Sequence, residues 1–150
     1  MKNLSELQLS VILPTLNEGE NLKFLLDDFC LMFSNNKIDD YEILIMDDGS
    51  KDETLNVCSL YKKSNKRINL ISRKEKPSLP MSIYDGIELA KYENVMWLDA
   101  DGSMSADSAL LLIEKFVISS KKVIIGSRFV EGGGYKGVKD LGKNSFLKSI

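Results

Sequence analysis

Residues 41–54 read YEILIMDDGSKDET. The run YEILIM (41–46) is short and rich in Ile and Leu, as buried strands are, and it stops at two aspartates and a glycine. Ser50 followed three residues later by Glu53 has the spacing of a capping box, so a helix is expected to begin there. Strand, acidic turn and helix in that order make half of a βαβ unit, and the pattern recurs along the chain. Other short apolar runs are LSVIL (9–13), INLIS (68–72), VMWL (95–98) and VIIG (123–126). Helical periodicity fills the intervals. One apolar face is expected at Leu22, Leu25, Leu26, Phe29 and Phe33, a second at Val57, Cys58 and Tyr61. A third falls at Leu79, Ile83 and Ile87, and a fourth at Ala109, Leu112, Ile113, Phe116 and Val117. Asn17, three residues before Glu20, repeats the capping-box spacing, and Ser78 and Ser105 are the expected caps of the other two helices. The expectation is β-α-β-α-β-α-β-α-β: an α/β domain with an open, twisted, mainly parallel sheet and helices on both faces.

The 150 residues suffice for one domain with a substantial core, and 43% hydrophobic with 28% charged residues is ordinary for a globular chain. The apolar runs are too short to span a bilayer, and no signal peptide is expected at the start. Cys30 and Cys58 form no metal-ligand pattern and read as reduced core residues of a cytosolic protein. Histidine is absent, so chemistry rests on carboxylates, Lys or Arg, hydroxyls, backbone amides or a hard metal ion. Charge is uneven. Residues 121–150 hold seven basic and two acidic residues, 7 − 2 = +5, and the remainder is 13 − 20 = −7. The basic end suits an anionic partner or a solvated face. The domain is expected to have its core over about 1–130, with 131–150 a basic loop and the start of an acceptor-side segment.

In an open α/β sheet, ligands bind outside the carboxyl ends of the strands. The first strand exits into PTLNEGE, the second into DDGS, the fourth into DADGS and the fifth into GSRFVEGGG. Asn17, Glu18, Asp47, Asp48, Asp99, Asp101 and Arg128 are therefore expected around one cleft. Carboxylates gathered in a cleft repel unless a cation or hydrogen-bond donors compensate. Asp99 and Asp101, one residue apart, can both approach a hard divalent ion such as Mg²⁺, which fills its other sites with water and phosphate oxygens. Alone, DADG is equally a solvated turn. A second acidic pair at the same sheet edge favours the ion. A carboxylate at the end of the second strand can accept from a base N–H or a ribose hydroxyl. No GxGxxG or GxxxxGK follows the first strand, which argues against a generic nucleotide-binding domain.

With these motifs in view, the sequence resembles the family 2 glycosyltransferases of the Rossmann-like GT-A fold. It looks most like their dolichol-phosphate mannose synthase and polyprenyl-phosphate glycosyltransferase group. The matching stretches are VILPTLNEGENL, EILIMDDGSKDET, MWLDADGS and GSRFVEGGG. The resemblance implies that Pro14, Thr15, Asn17 and Glu18 line a nucleotide-sugar pocket. It implies that Asp48, with Asp47 and Gly49 beside it, meets the base or ribose. Asp99 and Asp101, flanking Ala100, would be the D-x-D pair, with Asp101 the direct ligand of Mg²⁺ or Mn²⁺. Ser103 stands where the group often carries a helper Gln and would reach the ion through water. Leu16 stands where the family's pocket tyrosine usually is. Arg128, after Ser127, would contact phosphate at the reaction centre, and Gly132, Gly133 and Gly134 would belong to a loop near donor and acceptor.

The implied reaction is inverting transfer of a hexose from a GDP-mannose or UDP-glucose type donor. A hydroxyl acceptor needs a carboxylate base, whereas a phosphate acceptor is already ionised and needs charge compensation, which a guanidinium supplies with two parallel hydrogen bonds. Polyprenyl phosphate is therefore the expected acceptor, a saccharide hydroxyl the alternative. The expected location is cytoplasmic, peripheral at the membrane face, with no nucleic-acid partner. A reading of another class is a nucleotide-sugar-binding domain without turnover, either a fragment or a subunit completed by a partner subunit or homodimer.

Overall fold

The computed structural model describes residues 3–127 and 129. After a short 3-10 turn at Leu4–Glu6, the chain alternates β1 (Gln8–Thr15), α1 (Gly19–Asn35), β2 (Asp40–Asp47), α2 (Thr54–Ser64), β3 (Ile68–Ser72), α3 (Leu79–Leu89), β4 (Val95–Trp97) and α4 (Ala106–Ile118). The four strands form one parallel sheet in the order β3-β2-β1-β4. Helices cover both faces, as the alternating pattern predicts.

Strand alternation divides the core. Leu9, Val11 and Leu13 of β1, with Tyr41, Ile43 and Ile45 of β2, face α1, α2 and α4. Leu22, Leu26, Phe29 and Phe33 of α1 are fully buried there, and Phe33 stacks on Tyr41 with ring centroids 4.1 Å apart. Burying each such side chain contributes about 1.5–3 kcal/mol, so this face dominates the fold's stability. Cys58 lies within it, and burial, reinforced by the charge of Asp47, pushes its thiol up to about 12. It therefore stays a protonated apolar filler at neutral pH, and both cysteines are free.

The opposite face is thinner: Ile12, Leu44 and Met46, covered by α3. Here the expected apolar stripe is corrected. Leu79 and Ile87 are 49% and 45% exposed, while Ser82 and Gly86 are the buried residues of α3. A Cβ on Gly86 would sit 2.6 Å from Ile12 Cγ2. The helix thus reaches the sheet through its smallest residues, and its large ones turn outward.

A fifth strand at 123–126 is also corrected. No ladder forms there, and Val123 and Ile125 are 70% and 80% exposed. A cavity of about 510 Å³ lies between this segment and β4, with Val95, Trp97, Phe116 and Ile125 among its walls. A strand needs a neighbour about 4.8 Å away to pair with, and among the described residues none stands across this cavity. Gly126 rests on Leu112 of α4 instead.

Candidate functional site

The strand order reverses between β1 and β4, so their carboxyl ends flank the crevice where open α/β sheets bind ligands. Pro14 and Thr15 end β1 as buried residues. Leu16 and Asn17 then emerge, Leu16 44% exposed, and Asn17 turns the chain with φ 59°. Asparagine tolerates that left-handed conformation better than most residues.

Neither Asn17 nor Ser50 caps its own helix. The N-caps are Glu18 and Glu53, neither with a side-chain cap bond. The polar side chains are used between the two junctions instead. Asn17 N–H donates to Ser50 Oγ (2.8 Å), and Lys51 N–H donates to Asn17 Oδ1 (2.8 Å). Ser78 precedes α3 without a side-chain cap bond, whereas Ser105 caps α4 by accepting from Ser108 N–H.

At the end of β2 both aspartates are buried and satisfied. Asp47 accepts from the N–H groups of Gly49 and Ser50, with Gly49 at φ 89° making the turn. Asp48 accepts from Ser78 N–H (2.9 Å), Ser82 hydroxyl (2.7 Å) and Arg73. Burial pushes the Asp48 carboxyl up, but the bonds from Ser82, Ser78 and Arg73 outweigh it and hold it below the ordinary range. Arg73 leaves β3 with its side chain 3% exposed, donating also to Asp85 (2.7 Å) and Ser82 (3.3 Å). Its pKa is raised, first by the Asp85 bond. Sequence reasoning missed Arg73, although the same sheet-edge rule points to it: it is the first residue after the third strand.

The end of β4 is built differently. Leu98 and Ala100 are buried while Asp99 and Asp101 are exposed, so alternation turns both carboxylates outward. Gly102 (φ 76°) reverses the chain, and Asp101 Oδ1 accepts from Ser103 N–H (2.8 Å). That bond holds the Asp101 carboxyl below the ordinary range. Hard carboxylate oxygens on two residues fit a cation that takes few protein ligands and completes its shell with phosphate and water. Among the described residues no group of three or more His, Cys, Asp or Glu could cage a metal. Ser127 is described and exposed, its Oγ accepting from Phe129 N–H. Arg128, Gly132, Gly133 and Gly134 lie outside the described residues.

A parallel sheet with acidic strand exits at its switch point defines a Rossmann-like α/β domain of the GT-A class. The model of glycosyl transferase family 2 matches residues 10–144, and the chain belongs to that family. It is 33% identical over 129 residues to the poly(ribitol-phosphate) beta-N-acetylglucosaminyltransferase TarP of Staphylococcus aureus, covering 85% of this chain and 38% of TarP. It is 34% identical over 107 residues to the dolichyl-phosphate beta-glucosyltransferase of Dictyostelium discoideum, covering 67% of this chain and 32% of that one. The chain thus spans about a third of the length of these relatives. Glucosyl-3-phosphoglycerate synthase of Mycobacterium tuberculosis was solved with Mn²⁺, UDP and glucosyl-3-phosphoglycerate. It superposes with a TM-score of 0.62 at 18% identity, over 77% of this chain and 42% of that one, a likeness of fold alone.

Proposed function

We propose that this chain supplies the nucleotide-sugar site of an inverting hexosyltransferase, with Asp99 and Asp101 as its open, charge-bearing edge. The observation carrying this reading is the contrast at the switch point: Asp47 and Asp48 are consumed by internal bonds, whereas Asp99 and Asp101 face outward at the end of β4. At the start of α1, Glu18 N–H already donates to Thr54 and Gly19 N–H to Asp52, which leaves fewer amides for a phosphate. A leaving diphosphate therefore needs charge compensation from elsewhere. A divalent ion, Mg²⁺ or Mn²⁺, held by Asp101 and Asp99 with Ser103 nearby, would supply it. Pro14, Thr15, Asn17 and Glu18 form the β1 wall of the donor pocket. Asp48, Asp47 and Gly49 form the β2 wall, stiffened by Arg73.

In this reading a nucleophilic oxygen attacks the anomeric carbon as the bond to the nucleoside diphosphate breaks. The names of the two relatives both carry a phosphate compound, poly(ribitol-phosphate) and dolichyl phosphate. Polyprenyl phosphate fits best, since an ionised phosphate needs no base. Ser127 and Arg128, followed by Gly132–Gly134, would meet that phosphate, and the basic end of the chain favours a cytoplasmic membrane face. No helix among the described residues is long and apolar enough to cross a membrane.

A second reading rests on coverage. A chain spanning 32–38% of these relatives fits a donor-binding unit that turns over only with further polypeptide, whether from the same chain, a partner subunit or a second copy. Incubation with labelled UDP-glucose or GDP-mannose, Mn²⁺ and a short-chain polyprenyl phosphate, paired with calorimetry, separates the two. Transfer supports the first. Metal-dependent UDP or GDP binding without transfer supports the second. Absence of both sinks the donor-site assignment.

A further inference from the structure

We infer that Asp52 is a positioning residue: its carboxylate, with the Thr54 hydroxyl, ties the β1–α1 junction to the β2–α2 junction and so sets the shape of the donor pocket's β1 wall. This rests on the donor-site reading above.

The two junctions share one set of hydrogen bonds between residues 33–36 apart in sequence. Asp52 Oδ2 accepts from Gly19 N–H (3.0 Å), at the first residue of α1. Asp52 Oδ1 accepts from Thr54 N–H (3.0 Å), at the first residue of α2, and from the Thr54 hydroxyl (2.5 Å). One carboxylate thus meets the N-terminal amides of two helices, where each macrodipole favours negative charge. The relay continues, because Thr54 Oγ1 in turn accepts from Glu18 N–H (3.0 Å). Thr54 is fully buried, so its oxygen has no solvent to turn to. The junctions also touch sterically: a Cβ on Gly19 would lie 2.9 Å from both Glu53 Cγ and Thr54 N.

The consequence is specific. Glu18 and Gly19 have their amides held by α2, and Asn17 is held by Ser50 and Lys51. No side chain of the 16–19 loop caps α1 from within. The loop's conformation is therefore imposed from the second junction, and the pocket wall is formed before any nucleotide arrives. Both Asp52 oxygens are already engaged, which separates its role from that of a residue contacting ligand.

The test compares Thr54→Val, Thr54→Ser and Asp52→Asn with the unaltered chain, by amide hydrogen exchange and by calorimetry of UDP and GDP binding with Mn²⁺. Thr54→Val keeps the side chain's shape but removes the oxygen that accepts from Glu18. Exchange at Glu18 and Gly19 should quicken about tenfold or more in Thr54→Val and Asp52→Asn, with the β1 and β2 amides unchanged, the scale expected for losing one such hydrogen bond. Nucleotide affinity should fall by about tenfold in the same two variants, for the same reason. Thr54→Ser, which retains the hydroxyl, should restore both. Unchanged exchange at Glu18 and Gly19 overturns the tie. Faster exchange with wild-type affinity overturns the positioning role, since a merely structural tie would behave that way. If the unaltered chain binds neither UDP nor GDP, the donor-site reading fails, and the pocket role with it, while the exchange data still decide whether the tie exists.

Discussion

Two acidic pairs occupy the same topological position, the first residues beyond a parallel strand, and share almost nothing else. Asp47 and Asp48 are 1% and 8% exposed and satisfied by backbone amides, Ser82 and Arg73. Asp99 and Asp101 face outward, and among the described residues Asp101 accepts from Ser103 N–H. The difference arises from what arrives next to each. Beside β2 stands β3, which delivers Arg73, and α3, which delivers Ser78 and Ser82. Beside β4 stands a cavity. A carboxylate next to strands and helices becomes polar core, and a carboxylate at an open edge stays available to a ligand.

The comparison breaks most visibly in stability. Asp48→Ala leaves Arg73 with one carboxylate in a nearly dry site and orphans Ser78 N–H. A loss of about 3 kcal/mol is expected, the lower end of the cost of breaking a buried pair because Asp85 still holds the guanidinium. Urea unfolding would show it as a lower midpoint at unchanged slope. Removing Arg73 as well should cost less than the two single changes summed, by about 1–2 kcal/mol, as expected for residues in one network. Additive losses in that cycle would mean the two act independently, contrary to the geometry.

Acid sharpens the contrast. The Asp48 carboxyl is held below its ordinary value of 3.8, because bonds from Ser82, Ser78 and Arg73 outweigh the opposing burial. A lowered folded pKa gives stability that is fully present above the unfolded value and is lost as pH falls through the folded one. Unfolding free energy should therefore decline as pH drops below about 3.8. Asp48→Asn, lacking the titrating group, should start lower and decline less steeply. Parallel curves would remove Asp48 from the account of acid stability.

The same contrast explains what could be read in advance. Four of the five apolar runs became strands: β1 and β2 are buried along almost their whole length, whereas β3 and β4, at the sheet's edges, are mostly half-buried or exposed. The run at 123–126 is as apolar, but strand formation depends on a neighbour, which periodicity does not describe. The α1 face was legible because Leu and Phe mark it. The α3 face was not, because contact runs through Ser82 and Gly86, whose small size permits approach to Ile12. Cap spacing at Asn17 and Ser50 was real, yet each side chain bonds across to the other junction, a choice fixed by tertiary structure. The sheet-edge rule pointed to four acidic positions that follow β2 and β4 and passed over Arg73, so it could not distinguish the closed pair from the open one.

The smallest stability effect carries the most functional weight. Asp101 is exposed, and its bond from Ser103 N–H closes a local turn that Gly102 already shapes. Asp101→Ala should therefore change unfolding free energy by no more than about 0.5 kcal/mol, as is usual for surface changes. Its ligand effect should be large in one respect only. In the unaltered chain Mn²⁺ should strengthen UDP or GDP binding, because the ion shields diphosphate from the carboxylates around it. In Asp101→Ala that enhancement should vanish, while metal-free affinity holds or rises as one repelling charge is lost. Calorimetry with and without Mn²⁺ measures both. An enhancement that survives in Asp101→Ala would move the cation away from the open pair, and a variant that unfolds would show the open pair to be polar core after all.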